Sequence, residues 1–165
     1  MTRRRALRVG GAVALAAVAW FVWSRWGSGD ERVIRERIEA LRSEVNRSAD
    51  GLAAISRANN IGSYFTEDVV VDLGQGAAPI RGRMTLMGMA ERLQPRTAAF
   101  RMEFDDVGVE MTSGAATAVV TLTASFIRGS QTGEESRDAR EFALGFTKAG
   151  GTWRIAHVTA IDVLR

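Results

Sequence analysis

The chain has 165 residues, 46% hydrophobic and 25% charged, which predicts one folded domain and excludes a disordered or wholly membrane-embedded chain. It contains no cysteine and one histidine, His157, which excludes disulfides, thiolate chemistry and a multi-histidine metal site within one chain. Five of its 22 basic residues lie in residues 1–26, which contain no acid. The remaining chain therefore has 17 basic and 19 acidic residues. We therefore expect no metal, no cofactor and no nucleic acid partner.

The first 26 residues are typical of a membrane anchor. Four arginines between positions 3 and 8 precede an uncharged run, Val9 to Ser24, and Arg25 follows it. As a helix, this run of 16 residues would span about 24 Å, somewhat less than the roughly 30 Å of a bilayer core. Arginine side chains can extend towards the headgroups from both ends, and three tryptophans near position 23 favour the interface. We predict one transmembrane helix formed by residues 9–24.

The arginines before this helix predict the orientation of the chain. Basic residues favour the cytoplasmic side, so the N-terminus is expected inside and the remaining chain outside, in a periplasmic or extracellular location. The chain is thus expected to be a single-pass protein of the cytoplasmic membrane. A cleaved signal peptide is the alternative, although the small-residue triplet Ala17-Val18-Ala19 lies inside the apolar run and residues 27–29 make a poor cleavage site.

Residues 27–29 form a predicted hinge, and residues 30–165 form one predicted domain. Asp30 is the predicted N-cap of a first helix, whose apolar stripe runs from Ile34 to Val45 at intervals of four, three and four residues. Gly51 and its polar neighbours interrupt this pattern, and a second helix is expected from Leu52 to about residue 60.

The middle of the domain contains a short strand and a third helix. Val69 to Leu73 is an apolar run bounded by polar and glycine-rich segments, as in a strand. Leu86, Met89 and Leu93 have helical spacing, and Pro95 is expected to end that helix.

The C-terminal half has the period of two residues that is typical of half-buried strands. Alternation predicts strands at Phe100 to Asp105, Ala118 to Phe126, Phe142 to Phe146 and Trp153 to Val163. Gly150 and its neighbours predict a hairpin before the last strand. Helices followed by a long antiparallel meander indicate an α+β domain, with the helices covering the apolar face of the sheet.

Three segments resemble the nuclear transport factor 2-like superfamily, which includes SnoaL-like proteins. They are Tyr64 to Val69 at the entry to the first strand, Ile80 to Arg83 before the third helix, and Trp153 to His157 in the last strand. The resemblance implies a cone-shaped, curved antiparallel sheet wrapped around about three helices and an open cavity, and a homodimer through the sheet. Superfamily members include isomerases, dehydratases, polyketide cyclases and non-catalytic binding proteins, so the fold leaves the function open.

The resemblance also points to three site residues. Enzymes of the superfamily use an aspartate or a His–Asp pair in the cavity, which here would be Asp72 on the first strand and His157 on the last. Such a carboxylate would accept a proton while an imidazole or phenol stabilised the enolate, and Tyr64 is the candidate ligand-binding donor. The structural alternatives are that Asp72 caps its strand or pairs with Arg81 or Arg83, and that His157 packs in the sheet or against a dimer partner. Since no complete catalytic set is present, the structural alternatives are favoured.

Two functions of different class follow. The favoured one is a membrane-anchored, non-catalytic domain outside the cytoplasm that binds a small apolar ligand or an envelope protein. The alternative is a SnoaL-like isomerase, lyase or cyclase acting by proton transfer on a hydrophobic carbonyl compound. The anchor favours the first function, since an enzyme of soluble metabolites gains little from attachment to a membrane.

Overall fold

A computed structural model describes residues 29–74, 76–92, 100–112, 116–129 and 135–161 of the chain. The described elements, in chain order, are α1 (29–46), α2 (Leu52–Gly62), β1 (Phe65–Asp72), β2 (Ile80–Arg81), α3 (Arg83–Arg92), β3 (Phe100–Met111), β4 (Thr117–Gly129), β5 (Glu135–Ala149) and β6 (Thr152–Ile161). The predicted α+β class is confirmed, with three helices and a six-stranded curved sheet in the described part of the chain.

The sheet has the strand order β2-β1-β6-β5-β4-β3. Strands β3 to β6 form the predicted antiparallel meander, and β1 joins it by pairing in parallel with β6. Gly150 and Gly151 have φ values of 58° and 78°, which glycine adopts without strain, and they form the tight connection between β5 and β6. The predicted hairpin is therefore confirmed.

Alternation gives the sheet two distinct faces. The inner face packs on the helices and carries buried apolar side chains, which are Val69 and Val71 of β1, Ala118, Val120, Leu122 and Ala124 of β4, Phe142, Leu144 and Phe146 of β5, and Trp153 and Ile155 of β6. The residues between them point to the outer face. Beyond the last described β5–β6 pair, Glu141 with Ile161, strands β3 to β5 continue, and we call this part of the sheet the wide end.

The predicted stripe of α1 supplies the helical side of the core. Ile34, Ile38 and Leu41 are buried in the same cluster as the inner face of the sheet. The C-terminal end of α1 is closed by α2, because the buried Arg57 donates from Nη1 to the carbonyls of Val45 (3.3 Å) and Arg47 (3.1 Å). A cation at this end satisfies carbonyls that have no partner within the helix.

Helix α1 also protects the edge strand β3. Arg35 donates from Nη1 to the carbonyl of Val107 (2.6 Å). The Asn46 amide donates to the carbonyl of Met102 (2.8 Å) and accepts from its N–H (2.7 Å). Residues 35 to 46 rise about 16 Å along a helix and residues 102 to 107 span about 16 Å along a strand, so the two elements match in length. These bonds occupy backbone groups that would otherwise be free to pair with another chain.

The predicted N-cap is wrong, because Asp30 lies within α1 and its side chain contacts the β5–β6 hairpin. Oδ1 of Asp30 accepts from Lys148 Nζ (2.8 Å) and from Trp153 Nε1 (3.1 Å). These hydrogen bonds lower the pKa of the Asp30 carboxyl below its usual value. The residue therefore joins the start of the helix to the hairpin.

This contact predicts acid sensitivity at one end of α1. Because the folded pKa of Asp30 is depressed, its carboxylate stabilises the fold above the unfolded value near 3.8 and loses this contribution as the pH falls through the folded value. We expect Asp30→Asn to flatten the fall in unfolding free energy between about pH 5 and pH 2. Urea unfolding at several pH values measures this slope, and an unchanged slope would contradict the assignment.

Four strands are longer than predicted. Strand β5, predicted at Phe142 to Phe146, runs from Glu135 to Ala149, and β4 extends beyond both of its predicted ends. Strand β1 begins at Phe65, which is buried like Val69, but a register shift between Phe65 and Val70 leaves the consecutive Glu67 and Asp68 both exposed, so the apolar pattern started late. Ile80–Arg81, predicted as a turn, pairs with β1 as β2. Strand β3 continues to Met111 through a bulge, where Asp106 has a φ of 53°. The bulge shifts the alternation, which is why the sequence pattern ended the strand at Asp105.

The predicted anchor, residues 9–24, lies outside the described residues, as does the position of Pro95. In the part of the chain that the structure covers, every helix is too short or too polar to cross a bilayer. The anchor therefore stays a prediction.

Candidate functional site

Asp72 lies at the end of β1 on the outer face of the sheet. It is in register with the exposed Thr159 of β6, whereas its neighbour Val71 is buried on the inner face. Oδ1 of Asp72 accepts a hydrogen bond from the backbone N–H of Gly74 (2.9 Å), which closes a turn after the strand. Of the two structural alternatives, the geometry shows the cap, and Arg83 pairs with Glu67 instead (3.2 Å).

His157 is exposed on the same outer face, where it is in register with Val70 of β1 and Gly145 of β5. Gly145 leaves room beside the imidazole, since a Cβ atom there would lie 3.5 Å from the His157 Cβ. Asp72 and His157 are diagonal neighbours on this face, and neither points towards the helices. This is also the face predicted to contact a second copy of the chain, and that contact stays a prediction.

Tyr64 lies apart from both, directly before β1 and next to the start of β6. Its carbonyl accepts from the N–H of Ile155 (2.9 Å), and its half-buried ring packs against the core. The guanidinium carbon of Arg37, on α1, lies 4.9 Å from the ring centroid, a cation–π contact. The structure therefore separates Tyr64 from the Asp72–His157 pair, and the three predicted residues do not form one site.

Two arginines beside Tyr64 were not recognised in the sequence. Arg37 and Arg154 are half-buried, and the Nε atom of each is buried without a hydrogen-bond partner. Burial lowers the pKa of Arg37, Tyr64 opposes this, and the positive charge of Arg154 lowers it further. The only sequence signal is that Arg37 borders the apolar stripe of α1, at the position before Ile38.

The inner face near the wide end is apolar and only partly covered. Half-buried hydrophobic side chains pack against the core on this side of the sheet. Phe104 of β3, Phe126 of β4 and Ala160 of β6 lie near the wide end, and Val158 of β6, Val45 of α1 and Leu86 of α3 complete the set. We call this set the apolar rim. Such residues combine contact with the core and accessible apolar surface, which suits the binding of an apolar molecule.

A separate depression of about 390 Å³ lies on the flank of α1 beside β3. It is lined by Glu39, Arg42, Ser43, Asn46 and Arg47. Arg42 pairs with Glu39, which raises the pKa of the arginine and lowers that of the glutamate. Because its charges are already paired and its walls are polar, this depression does not match an apolar ligand.

Comparisons with known proteins agree with this architecture. A family model described as a SnoaL-like domain matches residues 31–159. No curated protein gives a significant match to the chain.

Several solved structures share the fold at low sequence identity. Aln2 from a Streptomyces species is 14% identical with a TM-score of 0.63, over 79% of this chain and 88% of that one. A protein of Novosphingobium aromaticivorans provisionally named scytalone dehydratase is 12% identical with a TM-score of 0.67, over 84% and 87%. An NTF2-like protein with a cystatin-like fold from the same species is 19% identical with a TM-score of 0.62, over 88% and 86%. At these identities the likeness concerns the fold alone.

Proposed function

Since the chain belongs to the SnoaL-like domain family, we propose that residues 30–165 form a non-catalytic domain that binds a small apolar molecule on the inner face of its sheet. The apolar rim carries this proposal. Its side chains line the helical side of the sheet while retaining accessible surface, so a ligand placed there would bury further hydrocarbon.

The positions of the polar candidates support binding over catalysis. A proton-transfer enzyme of this family would need its base on the inner side, but Asp72 and His157 face the other way. The described inner-face residues of β1 and β6 are apolar. Relatives named as dehydratases, such as one from Streptomyces avermitilis at 17% identity, keep the isomerase or lyase as the alternative. That alternative would require a catalytic group elsewhere in the domain.

Binding to the apolar rim can be tested with a neutral fluorescent probe, N-phenyl-1-naphthylamine, and the fragment of residues 30–165. We expect Phe126→Ser to weaken probe binding by roughly tenfold or more, because a buried aromatic contact contributes about 1.5–3 kcal/mol. Val119→Ser is the matched control, since Val119 lies on the same strand but is exposed on the outer face. Thermal melts establish that both variants fold.

The results separate the two faces of the sheet. A loss of binding confined to Phe126→Ser supports the proposal. Equal binding by the wild type and Phe126→Ser, or a loss caused by Val119→Ser, contradicts it.

We also propose that residues 9–24 anchor this domain outside the cytoplasmic membrane. The arginine asymmetry around an uncharged run of apolar residues supports this. After alkaline extraction the full chain is expected to remain with the membrane, and external protease is expected to digest the domain in spheroplasts. Release into the soluble fraction would contradict the anchor, and protection from protease would contradict the orientation.

A further inference from the structure

Arg37 and Arg154 differ from most arginines of the domain. Among the described residues, eight arginines have a carboxylate within 4.0 Å, namely Arg32, Arg35, Arg42, Arg47, Arg83, Arg101, Arg137 and Arg140. Arg37 and Arg154 have no described carboxylate within that distance, although the Nε atom of each is buried. Arg57 has none either, but it donates to two carbonyls at the end of α1. Arg81 and Arg128 also have none, but both are exposed, so water solvates their charge. Partial burial of a guanidinium without an acidic partner costs more free energy than leaving it exposed to water.

Tyr64 has an arginine neighbour from each of two elements. Arg37 comes from α1, and its guanidinium packs over the ring. Arg154 is on β6 directly before Ile155, which is in register with Phe65 and donates its N–H to the Tyr64 carbonyl, so Tyr64 and Arg154 lie side by side along the backbone. Arg37 also donates weakly from Nη2 to the carbonyl of Ser63 (3.4 Å). The cluster thus holds two positive charges and a phenol, and their mutual repulsion and burial need compensation.

We propose that Arg37, Tyr64 and Arg154 bind a phosphate group, carried either by a small phosphoester or by a phospholipid headgroup. Two guanidinium groups balance the charge of a dianionic phosphate, whereas a single carboxylate would leave one charge uncompensated. The Nη groups and the Tyr64 hydroxyl supply the donors. This site lies at the start of β6, away from the wide end of the sheet, so it does not depend on the apolar rim.

The test uses the full chain in a mild non-ionic detergent, with inorganic phosphate as the first probe. Phosphate is expected to raise the melting temperature above that in sodium chloride of equal ionic strength. Arg154→Gln and Arg37→Gln are each expected to weaken phosphate binding roughly 10- to 100-fold, because each removes charge-assisted hydrogen bonds. Arg81→Gln, which removes an exposed arginine without a carboxylate partner, is expected to leave binding unchanged.

Two further probes distinguish the source of the phosphate. If glycerol 3-phosphate raises the melting temperature as much as inorganic phosphate does, a small phosphoester is supported. Stabilisation by micelles containing phosphatidic acid, but not by phosphatidylcholine micelles or glycerol 3-phosphate, supports a lipid headgroup. Stabilisation by none of these anions above the chloride control overturns the proposal, as does an equal effect on the wild type and both glutamine variants.

Two milder variants cover the case in which a glutamine substitution prevents folding. Arg154→Lys keeps the charge but loses the planar fork, so weaker phosphate binding with an unchanged melt is expected. Tyr64→Phe removes only the hydroxyl and is expected to weaken binding less. Unchanged affinity in both variants overturns the assignment of these residues.

Discussion

Trp153→Ala is expected to lower the free energy of unfolding by about 3–5 kcal/mol, the range typical of a large aromatic residue removed from a core. Trp153 is only 1% exposed and lies in the cluster that joins α1 to the sheet. Its indole N–H also donates to Asp30, so the alanine variant loses both packing and a hydrogen bond. Urea unfolding followed by circular dichroism measures the change.

Trp153→Phe is the matched control for this substitution. Phenylalanine retains most of the buried aromatic surface but lacks the indole N–H that donates to Asp30. The Asp30 carboxylate keeps its contact with Lys148. We expect a loss of about 1–2 kcal/mol, clearly smaller than for alanine. Similar stabilities of the alanine variant and the wild type would show that Trp153 does not fill the core as described.

Asn46→Ala is expected to destabilise the domain by about 1–3 kcal/mol, because it leaves both the N–H and the carbonyl of Met102 without their partner. The variant also uncovers part of an edge strand, so we expect faster aggregation. Denaturant unfolding and light scattering measure the two effects.

Ser43→Ala is the control for Asn46→Ala, since Ser43 is exposed on the same flank of α1. We expect it to change stability by less than about 0.5 kcal/mol. If Asn46→Ala were as stable and as soluble as Ser43→Ala, the protective role of α1 along β3 would be contradicted.

The sequence predicted the elements whose apolar period is regular. The stripe of Ile34, Ile38 and Leu41 and the alternation of β4 and β5 both depend on local spacing, which the core requires. The predicted ends of helices and strands were wrong where tertiary contacts determine them. Asp30 resembles a cap, but its carboxylate is held by Lys148, which lies far away in the sequence. The bulge at Asp106 likewise has no sequence pattern that specifies it.

The candidate site was less predictable than the fold. The resemblance implied that Asp72 lies in the cavity, but adjacent residues of a strand point to opposite faces, so a buried Val71 places Asp72 on the outer side. The contact of Arg37 with Tyr64 joins α1 to the residue before β1, and Arg154 is close to them on the last strand. Such a cluster depends on the packing of three elements, so residue spacing alone could not reveal it.

The central claim is that the inner face of the sheet, and not the outer face, binds an apolar ligand. Methyl NMR of residues 30–165 during titration with N-phenyl-1-naphthylamine tests it most directly. Methyl signals of Leu86 and Val158, both in the apolar rim, are expected to shift. Those of Val70 and Val119, on the outer face, are expected to remain in place. Saturable shifts confined to Val70 and Val119, or no saturable shift at any methyl group, would contradict the account.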